Sequence, residues 1–318
     1  MQRRVSMADV AAAAGVSGQT VSRVVNGSPR VDPETRTRVE AAMADLGYRP
    51  HRAARTLRTG RSGTIGVIVA TLATVGNSRM LEAVASAAAR RELAVTLVAL
   101  TGPADIAAAF DRLHDLGVDG AIVLNEATAI AEGVTRPEGL ALVAVDSPGG
   151  GFATVQSDHA GGAEAATRRL RDAGRRTIAH VAGPAGSFAA DERERGWRAA
   201  HDGARVPEPL RGDWGAASGH AAGRALAADP AVDAVFAAND QMALGVLRAL
   251  AEAGRDDVAV IGFDDVADAA DYRPPLTTVR QDFDALGEAA VAALAATLDG
   301  APATRTVVPT MLIARASG

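Results

Sequence analysis

Short apolar runs alternate with longer amphipathic stretches along residues 63–318. A first series of runs reads TIGVIVA, AVTLVAL, GAIVLN and LALVAV, and a second series reads TIAHVA, AVFAAN and VAVIGF. Runs rich in Val, Ile and Ala, separated by stretches of helical length, are typical of buried parallel strands in βα units. The two series therefore predict two similar α/β subdomains, each built around a parallel sheet.

The first fifty residues have a different pattern, which predicts three short helices. Ser6 and Asp9 have the spacing of a capping box at the start of the first helix. Ser17 caps a second helix, and Asp32-Pro33 opens a third with an N-cap followed by a proline at the first helical position. Two short helices joined by a turn that contains glycine predict a helix-turn-helix head.

The second helix of this head has one apolar and one polar face. The apolar face consists of Val21, Val24 and Val25. Gln19, Ser22 and Arg23 fall on the opposite face. Glutamine can bond adenine, and arginine guanine, through two hydrogen bonds each, so this face is suited to read a major groove. The alternative is an ordinary solvated polar face.

The charge distribution favours the nucleic-acid interpretation. Residues 1–62 contain 11 Arg and 5 acidic residues, whereas residues 63–318 contain 22 Arg and 33 acidic residues. A small basic head on an acidic body predicts nucleic-acid contact at one end only.

Composition excludes several classes of chemistry. The chain has no cysteine and its basic residues are all arginine, so thiolate metal sites, iron–sulfur clusters, a P-loop lysine and a Schiff-base lysine are excluded. No metal-spaced histidine pair or nucleophile motif is present, and we expect neither an enzyme nor a cofactor. No apolar run has the length of a leader or of a membrane span, so we expect a cytoplasmic protein without membrane contact.

Polar residues follow several predicted strands, where open α/β sheets bind ligands. Asp146, Asn239 and Asp264 lie at strand ends, and Arg193 lies on the helix after TIAHVA. Trp214 and Phe283 lie on connecting segments. Carboxylates, an amide and a guanidinium can bond adjacent hydroxyls, and an aromatic face packs on a sugar ring, so the set suits a saccharide. Asp264 could instead cap a helix, as could Asp240, which follows Asn239. Trp214 could be a core residue, and Asp265 could have a structural role.

Specific runs in the head show a family resemblance. The segment SMADVAAAAGVSGQTVSRVVNGSPRVDPETRTRVEAAMADLGYRP, and TVSRVVN and VEAAM in particular, resembles the DNA-binding head of the lactose-repressor (LacI/GalR) family of transcriptional regulators. The resemblance implies base contacts from Gly18, Gln19 and Arg23. The DNA-contacting residues expected in the head are Ser17, Gly18, Gln19, Thr20, Ser22, Arg23 and Asn26.

The segment HRAARTLRTG after the head is expected to be a hinge. The family uses this segment as a helix that orders on DNA, and the resemblance places Leu57 as a wedge in the minor groove with Arg52 and Arg55 beside it. An apolar wedge flanked by arginine suits a kinked duplex, because extra contacts on the bent DNA offset the cost of unstacking. The alternative is a flexible tether, since helices this short are marginal in water.

Runs in the body extend the resemblance to residue 313, most closely to the branch after which the family is named. They are AGP at 182–184, GDW at 212–214, ANDQMALG at 238–245, PPLTT at 274–278 and QDF at 281–283. The implied fold class is an all-α helix-turn-helix head and hinge helix joined to an α/β core of two periplasmic-binding-protein-like subdomains. The resemblance implies effector contacts from Asp146, Arg193, Trp214, Asn239, Asp264, Gln281 and Phe283.

The expected domains are the head at 1–50, the hinge and linker at 51–62, a first core subdomain at 63–157 plus 283–299, and a second at 158–282 plus 304–318. The expected protein is a homodimeric repressor of a pseudo-palindromic operator, released by a galactoside-like inducer. A dimer is expected because the leucine heptads that build a tetramer in the branch after which the family is named are not seen near Arg315. The alternatives are a non-sugar metabolite acting as corepressor, and a DNA binder that needs no effector.

Overall fold

The structure is a computed structural model that describes residues 5–48, 60–102, 105–131, 139–202 and 206–318. The chain forms two compact units, Met1–Ser62 and Gly63–Gly318, which we call the head and the body. The hinge residues Arg52, Arg55 and Leu57 lie outside the described ranges. Their contacts with DNA remain a prediction.

The head has the three predicted helices: α1 (Met7–Ala14), α2 (Gly18–Val25) and α3 (Pro33–Asp45). The capping box is present, since the Ser6 side chain accepts from the Asp9 backbone while the Asp9 carboxylate accepts from the Ser6 N–H at 2.8 Å. Asp32 caps α3 through the Thr35 N–H at 2.9 Å. The helices enclose a small apolar core: Val10, Ala11, Ala14, Val21, Val24, Val31, Val39 and Ala42. The helix-turn-helix prediction is confirmed.

The first part of the body forms a six-stranded sheet with helices on both faces. Its elements are β1 (Thr64–Val69), α4 (Val75–Arg90), β2 (Ala94–Ala99), α5 (Ile106–Asp115), β3 (Gly120–Leu124), α6 (Glu126–Ala131), β4 (Ala141–Val145) and β5 (Ala153–Ser157). These strands are parallel and are arranged in the order β5-β4-β3-β1-β2, with a later strand outside β5. We call this part the first subdomain.

The second part of the body repeats this plan around a sheet of its own. Its elements are α7 (His159–Asp172), β6 (Ile178–Ala182), α8 (Phe188–Ala199), β7 (Leu210–Arg211), α9 (Ala216–Ala227), β8 (Ala234–Ala237), α10 (Asp240–Glu252), β9 (Ala259–Asp264) and β10 (Thr277–Gln281). These strands are parallel in the order β10-β9-β8-β6-β7. The predicted fold class of two subdomains with parallel sheets is confirmed.

The end of the chain passes between the subdomains, and one prediction about it is wrong. Helix α11 (Phe283–Leu298) packs on the first sheet, as expected. Strand β11 (Arg305–Val308) pairs in parallel with β5 of the first sheet, whereas only β12 (Thr310–Ile313) joins the second, antiparallel to β10. The expected assignment of 304–318 to the second subdomain therefore fails for β11. Pro309 separates the two strands, and a residue without an N–H interrupts a ladder and lets the chain change sheets.

No helix in the described part of the chain is both long enough and apolar enough to cross a bilayer.

A histidine lies in the core of the second subdomain. His180, on β6, is 1% exposed, and its ring stacks between Trp197 and Phe236 at centroid distances of 5.2 and 5.0 Å. Its Nδ1 donates to the Phe236 carbonyl at 2.9 Å, and Nε2 has no partner among the described residues. Burial lowers the pKa of His180 to about 4, because the charged ring would lose its hydration without gaining a counter-ion.

We expect this histidine to make the protein acid-sensitive. Between pH 6.5 and 4 the unfolded chain takes up a proton on His180 that the folded chain does not bind, so folding is progressively disfavoured. The shift is equivalent to about 3 kcal/mol at full extent. Replacing His180 by Asn keeps a donor for the Phe236 carbonyl but removes the titration.

The measurement is urea unfolding of wild type and His180→Asn at several pH values. The difference in unfolding free energy between the two proteins should narrow as the pH falls from 7 to 4. A His201→Asn variant in the same subdomain serves as control. A constant difference across this range contradicts the assignment.

Candidate functional site

A cleft between the two subdomains contains the predicted binding residues. Counted out to its open mouth, and so including bulk solvent there, its volume is about 490 Å³. All seven residues named from the sequence line it: Asp146, Arg193, Trp214, Asn239, Asp264, Gln281 and Phe283. The structure thus brings together residues that are spread over more than a hundred positions of the chain.

Strand ends explain how these residues meet. Asp264 and Gln281 are the last residues of the neighbouring strands β9 and β10, and Asp146 directly follows β4. Asn239 is the N-cap of α10, close to the end of β8. Since all strands of a parallel sheet end at the same edge, the two sheets present their polar ends to the same cleft.

The backbone around the cleft is held in unusual conformations. Asn125, Asp146, Trp214 and Asp264 line the cleft with φ values of 48°, 56°, 71° and 118°. A side-chain-bearing residue with positive φ is strained by about 1–3 kcal/mol, and such residues cluster at functional sites. Three of the four, Asn125, Asp146 and Asp264, lie at or directly after the end of a strand.

Arg193 is the buried cation of the cleft. It is 4% exposed, its Nη1 donates to the Ala238 carbonyl, and its Nη2 lies 3.4 Å from Asp264 Oδ1. The guanidinium carbon lies 3.9 Å from the centroid of the Phe263 ring and 5.4 Å from that of Trp214. Burial lowers the pKa of Arg193 and raises that of Asp264, and the opposite charge of each opposes the shift of the other.

A hydrogen-bonded chain continues from this ion pair on both sides. Asp264 accepts from Gln281 Nε2 at 2.7 Å, and Gln281 Oε1 accepts from Ser157 Oγ at 2.6 Å. On the other side, the Arg193 Nε donates to His159 Nδ1 at 3.3 Å, and His159 Nε2 lies 2.8 Å from Asp146 Oδ1. His159 was missed by sequence reasoning, because β5, which precedes it, has no strong strand pattern.

Trp214 and Asn239 hold each other in place. Asn239 caps α10 through the Met242 N–H at 2.9 Å and donates to the Trp214 carbonyl at 3.0 Å, so much of its amide is already engaged. The Trp214 ring covers Gly183, where an added Cβ would lie 2.4 Å from the ring. The Trp214 indole N–H has no partner among the described residues. It is thus an unused donor on a residue that lines the cleft.

The first subdomain supplies a polar wall that sequence reasoning also missed. Asn77 is 1% exposed and donates to Glu126 Oε2 at 2.9 Å and to the Thr71 carbonyl at 3.0 Å, while it accepts from Asn125. Asn125 directly follows β3, so the rule that selected Asp146 at the end of β4 would also have selected it. Asn77 on α4 had no comparable signal.

Two aspartates beside the cleft are engaged in the structure. Asp240 accepts from Thr278 Oγ1 at 2.5 Å and from the Val266 N–H at 2.9 Å. Burial, with Asp264 close by, raises the pKa of Asp240 to about 8. Asp265 pairs with Arg280 at 2.7 Å and with Arg315 at 2.6 Å. In the described part of the chain, no group of three or more His or acidic residues is arranged to hold a metal ion.

The head presents the predicted polar face to solvent. Gly18, Gln19 and Arg23 on α2 are exposed, and Arg23 makes no hydrogen bond or ion pair with the described residues. Ser17 caps α2 through the Thr20 N–H at 3.1 Å, and its Oγ also lies 3.0 Å from Thr20 Oγ1. Ser22 accepts from Asn26 at 3.2 Å. Gln19 and Arg23 are thus the long polar side chains of α2 available for a base edge.

Comparison with known proteins identifies relatives of both units. A family model described as "Bacterial regulatory proteins, lacI family" matches residues 6–51, and one described as "Periplasmic binding protein-like domain" matches residues 167–318. The lactose operon repressor of Klebsiella pneumoniae is 37% identical, with 99% of this chain and 93% of the relative covered. The transcriptional regulator CelR of Thermobifida fusca is 36% identical, with 100% and 99% covered.

Solved structures give the same result. The lac repressor dimer bound to operator and the anti-inducer ONPF superposes with a TM-score of 0.86 and 33% identity, covering 99% of both chains. A complex of the transcriptional regulator CelR with cellobiose gives a TM-score of 0.70 at 33% identity, covering 99% of this chain and 100% of the other.

The exposed face of α2 leads to a prediction about base reading. Gln19→Ala or Arg23→Ala should each relax the preference for one base pair, at a cost of roughly 1–3 kcal/mol on the preferred sequence. The measurement is binding of the full chain to a set of DNA duplexes that vary one base pair at a time.

An Arg38→Ala variant removes the same charge from α3 and is the matched control. It should weaken binding to all duplexes by a similar factor. If Arg23→Ala gives the same uniform loss as Arg38→Ala, Arg23 contacts phosphate and does not read a base.

Proposed function

Because this chain is a DNA-binding transcriptional repressor of the LacI family of bacterial regulatory proteins, we propose that it is a homodimer and that a small, galactoside-like sugar releases it from its operator. The sugar binds in the cleft between the two subdomains. The observation that carries this proposal is the convergence of Asp146, Arg193, Trp214, Asn239, Asp264, Gln281 and Phe283 on one cleft.

The chemistry of the cleft suits a polyhydroxylated ligand. Asp146, Asp264 and Glu126 each have one carboxylate oxygen that makes no hydrogen bond to the described residues. These oxygens can accept from sugar hydroxyls, while the unused N–H groups of Arg193 can donate. The rings of Trp214 and Phe283 offer apolar faces to the CH face of a pyranose. Relatives named for lactose, cellobiose and ribose support a sugar as the effector class.

The same electrostatics argue against a phosphorylated effector. Three carboxylates line the cleft against one guanidinium, and that guanidinium is already paired with Asp264. A phosphate group prefers several cations, and the three carboxylates would repel it. The alternative of a non-sugar metabolite is therefore restricted to neutral or cationic compounds. A DNA-binding protein that needs no effector is not expected to contain a cleft lined by buried polar residues with a strained backbone.

A dimer follows from the symmetry of the proposed DNA site. Two heads related by a two-fold axis read the two halves of a pseudo-palindromic operator. A relative is named as a repressor dimer bound to operator. Several large apolar side chains of the body are exposed, Leu97 on the edge strand β2 and Leu244 on α10 among them, at 41% and 40%. Contact with a second copy would remove such side chains from water.

The proposed switch is a difference in affinity between two arrangements of the subdomains. A ligand bonded to both walls of the cleft stabilises the arrangement in which the walls are close. If that arrangement is incompatible with the pair of heads on DNA, the sugar and the operator compete by linkage, with a coupling of about 1–3 kcal/mol as is usual for such systems.

Arg193→Ala is expected to abolish release by sugar while operator binding persists, because Arg193 belongs to the cleft and not to the head. The measurement is fluorescence anisotropy of a labelled palindromic fragment from upstream of the protein's own coding sequence, with and without galactosides, cellobiose and ribose. Loss of a buried cation leaves Asp264 unpaired, so thermal unfolding is followed in parallel.

Arg195→Ala is the matched control. Arg195 lies on the same helix, pairs with Glu192 at 2.6 Å and is largely exposed. It should respond to sugar like wild type. A normal response of folded Arg193→Ala would show that the cleft assignment is wrong. If wild type binds the operator tightly and responds to no sugar, the proposal of a sugar effector is wrong, and the proposal of operator binding stands.

A further inference from the structure

His159 occupies a position between the two charged walls of the cleft. It is the first residue of α7, on the second subdomain, and is 1% exposed. One ring nitrogen lies 2.8 Å from Asp146 Oδ1 and the other accepts from Arg193 Nε at 3.3 Å. The Phe263 and Phe188 rings lie at centroid distances of 5.9 and 6.4 Å. The imidazole is thus packed in a fixed orientation with both nitrogens engaged.

The partners determine which nitrogen carries the proton. A guanidinium can only donate, so Nδ1 must accept from Arg193. Nε2–H then donates to the Asp146 carboxylate. A neutral imidazole satisfies both bonds at once. The ring is therefore a link that sets the spacing of an arginine and an aspartate.

This link also joins the two subdomains. Asp146 follows β4 of the first sheet, whereas His159 and Arg193 belong to helices of the second subdomain. From Arg193 the chain of bonds runs through Asp264 and Gln281 back to Ser157, the last residue of β5. Since β4 and β5 are neighbours in the first sheet, the chain begins and ends on the first subdomain. Within this chain of bonds, the Asp146–His159 contact at 2.8 Å is the bond that joins the two walls of the cleft away from the backbone crossings.

We propose that His159 is a positioning residue for the effector, which orients Asp146 and Arg193 and joins the two walls of the cleft; this rests on the proposed function of the cleft. The Asp146–His159 bond occupies Asp146 Oδ1 and directs Oδ2 to the ligand. The Arg193–His159 bond occupies Nε and directs the remaining guanidinium N–H groups to it. His159 itself is not required to touch the ligand.

Two substitutions at His159 separate hydrogen bonding from packing. His159→Gln retains a donor and an acceptor at the end of a side chain of similar length. His159→Phe retains the ring and removes both bonds. The matched control is His220→Gln. His220 lies on α9 of the same subdomain, outside the cleft, and it also bonds a carboxylate, that of Glu252 at 2.7 Å.

The first measurement is calorimetric binding of lactose, methyl β-D-galactoside, cellobiose and ribose to the full chain. For the sugar that binds wild type, His159→Phe should weaken affinity about tenfold or more, since it frees two charged groups from their orienting bonds. His159→Gln should stay within about threefold and His220→Gln within about twofold of wild type. Wild-type affinity in His159→Phe, or equal losses in His159→Gln and His159→Phe, would overturn the proposal.

The second measurement needs no ligand. Urea unfolding of His159→Phe, Asp146→Ala and the double variant forms a cycle in which the backbone strain at position 146 cancels. If the two residues interact, the unfolding equilibrium constant of the double variant should be smaller than the product of the two single effects predicts, by about fivefold or more. Independent effects would show that the bond does not form, and the proposal would be wrong. If wild type binds none of the four sugars, the proposed function fails. The cycle still decides whether the bond between His159 and Asp146 joins the two subdomains.

Discussion

The buried guanidinium of Arg193 is the constraint around which the cleft is organised. A cation that is 4% exposed must be compensated on every side, since an unpaired buried charge costs several kcal/mol. Asp264, the Ala238 carbonyl, His159 and the Phe263 ring supply that compensation. Asp264 is itself buried and needs Gln281 in turn. The need to compensate this one charge thus constrains where two strand ends, a helix N-terminus and an aromatic ring can lie.

This constraint gives the cleft a preferred arrangement before any ligand enters. The bonded chain from Asp146 to Ser157 crosses from one subdomain to the other and returns, and the backbone passes between them at residues 157–159, 281–283 and 308–310. A further contact spans the rim, where the Val75 N–H lies 3.5 Å from Gln241 Oε1. Separation of the two walls would break the Asp146–His159 and Val75–Gln241 contacts. The proposed sugar, bonded to both walls, would add to these contacts and so favour the arrangement in which the walls are close.

Charge divides the chain between two kinds of partner. The head is basic and exposes Arg23 on α2, whereas the body is acidic and its cleft contains Asp146, Asp264 and Glu126. Basic residues attract the phosphate backbone without regard to sequence, so a basic patch confined to the head restricts DNA contact to the surface that can read bases. The acidic body repels the same backbone, and the carboxylates of its cleft can accept hydrogen bonds from the proposed neutral sugar. DNA binding and the proposed sugar binding thus make opposite demands on charge, and the chain meets them in separate units.

Local patterns in the sequence determined most of the fold. Helix caps at Ser6 and Asp32 fixed the head, and apolar runs predicted seven strands of the two sheets, because caps and periodicity depend on neighbours in the chain. The aspartates at strand ends and the family resemblance also indicated seven cleft residues. Only the tertiary structure decided that β11 joins the first sheet, that Asn77 and Glu126 form a wall, and that His159 lies between Asp146 and Arg193. These are contacts between segments far apart in sequence, whose partners are chosen by packing and by the need to compensate buried charge, and no local pattern encodes that choice.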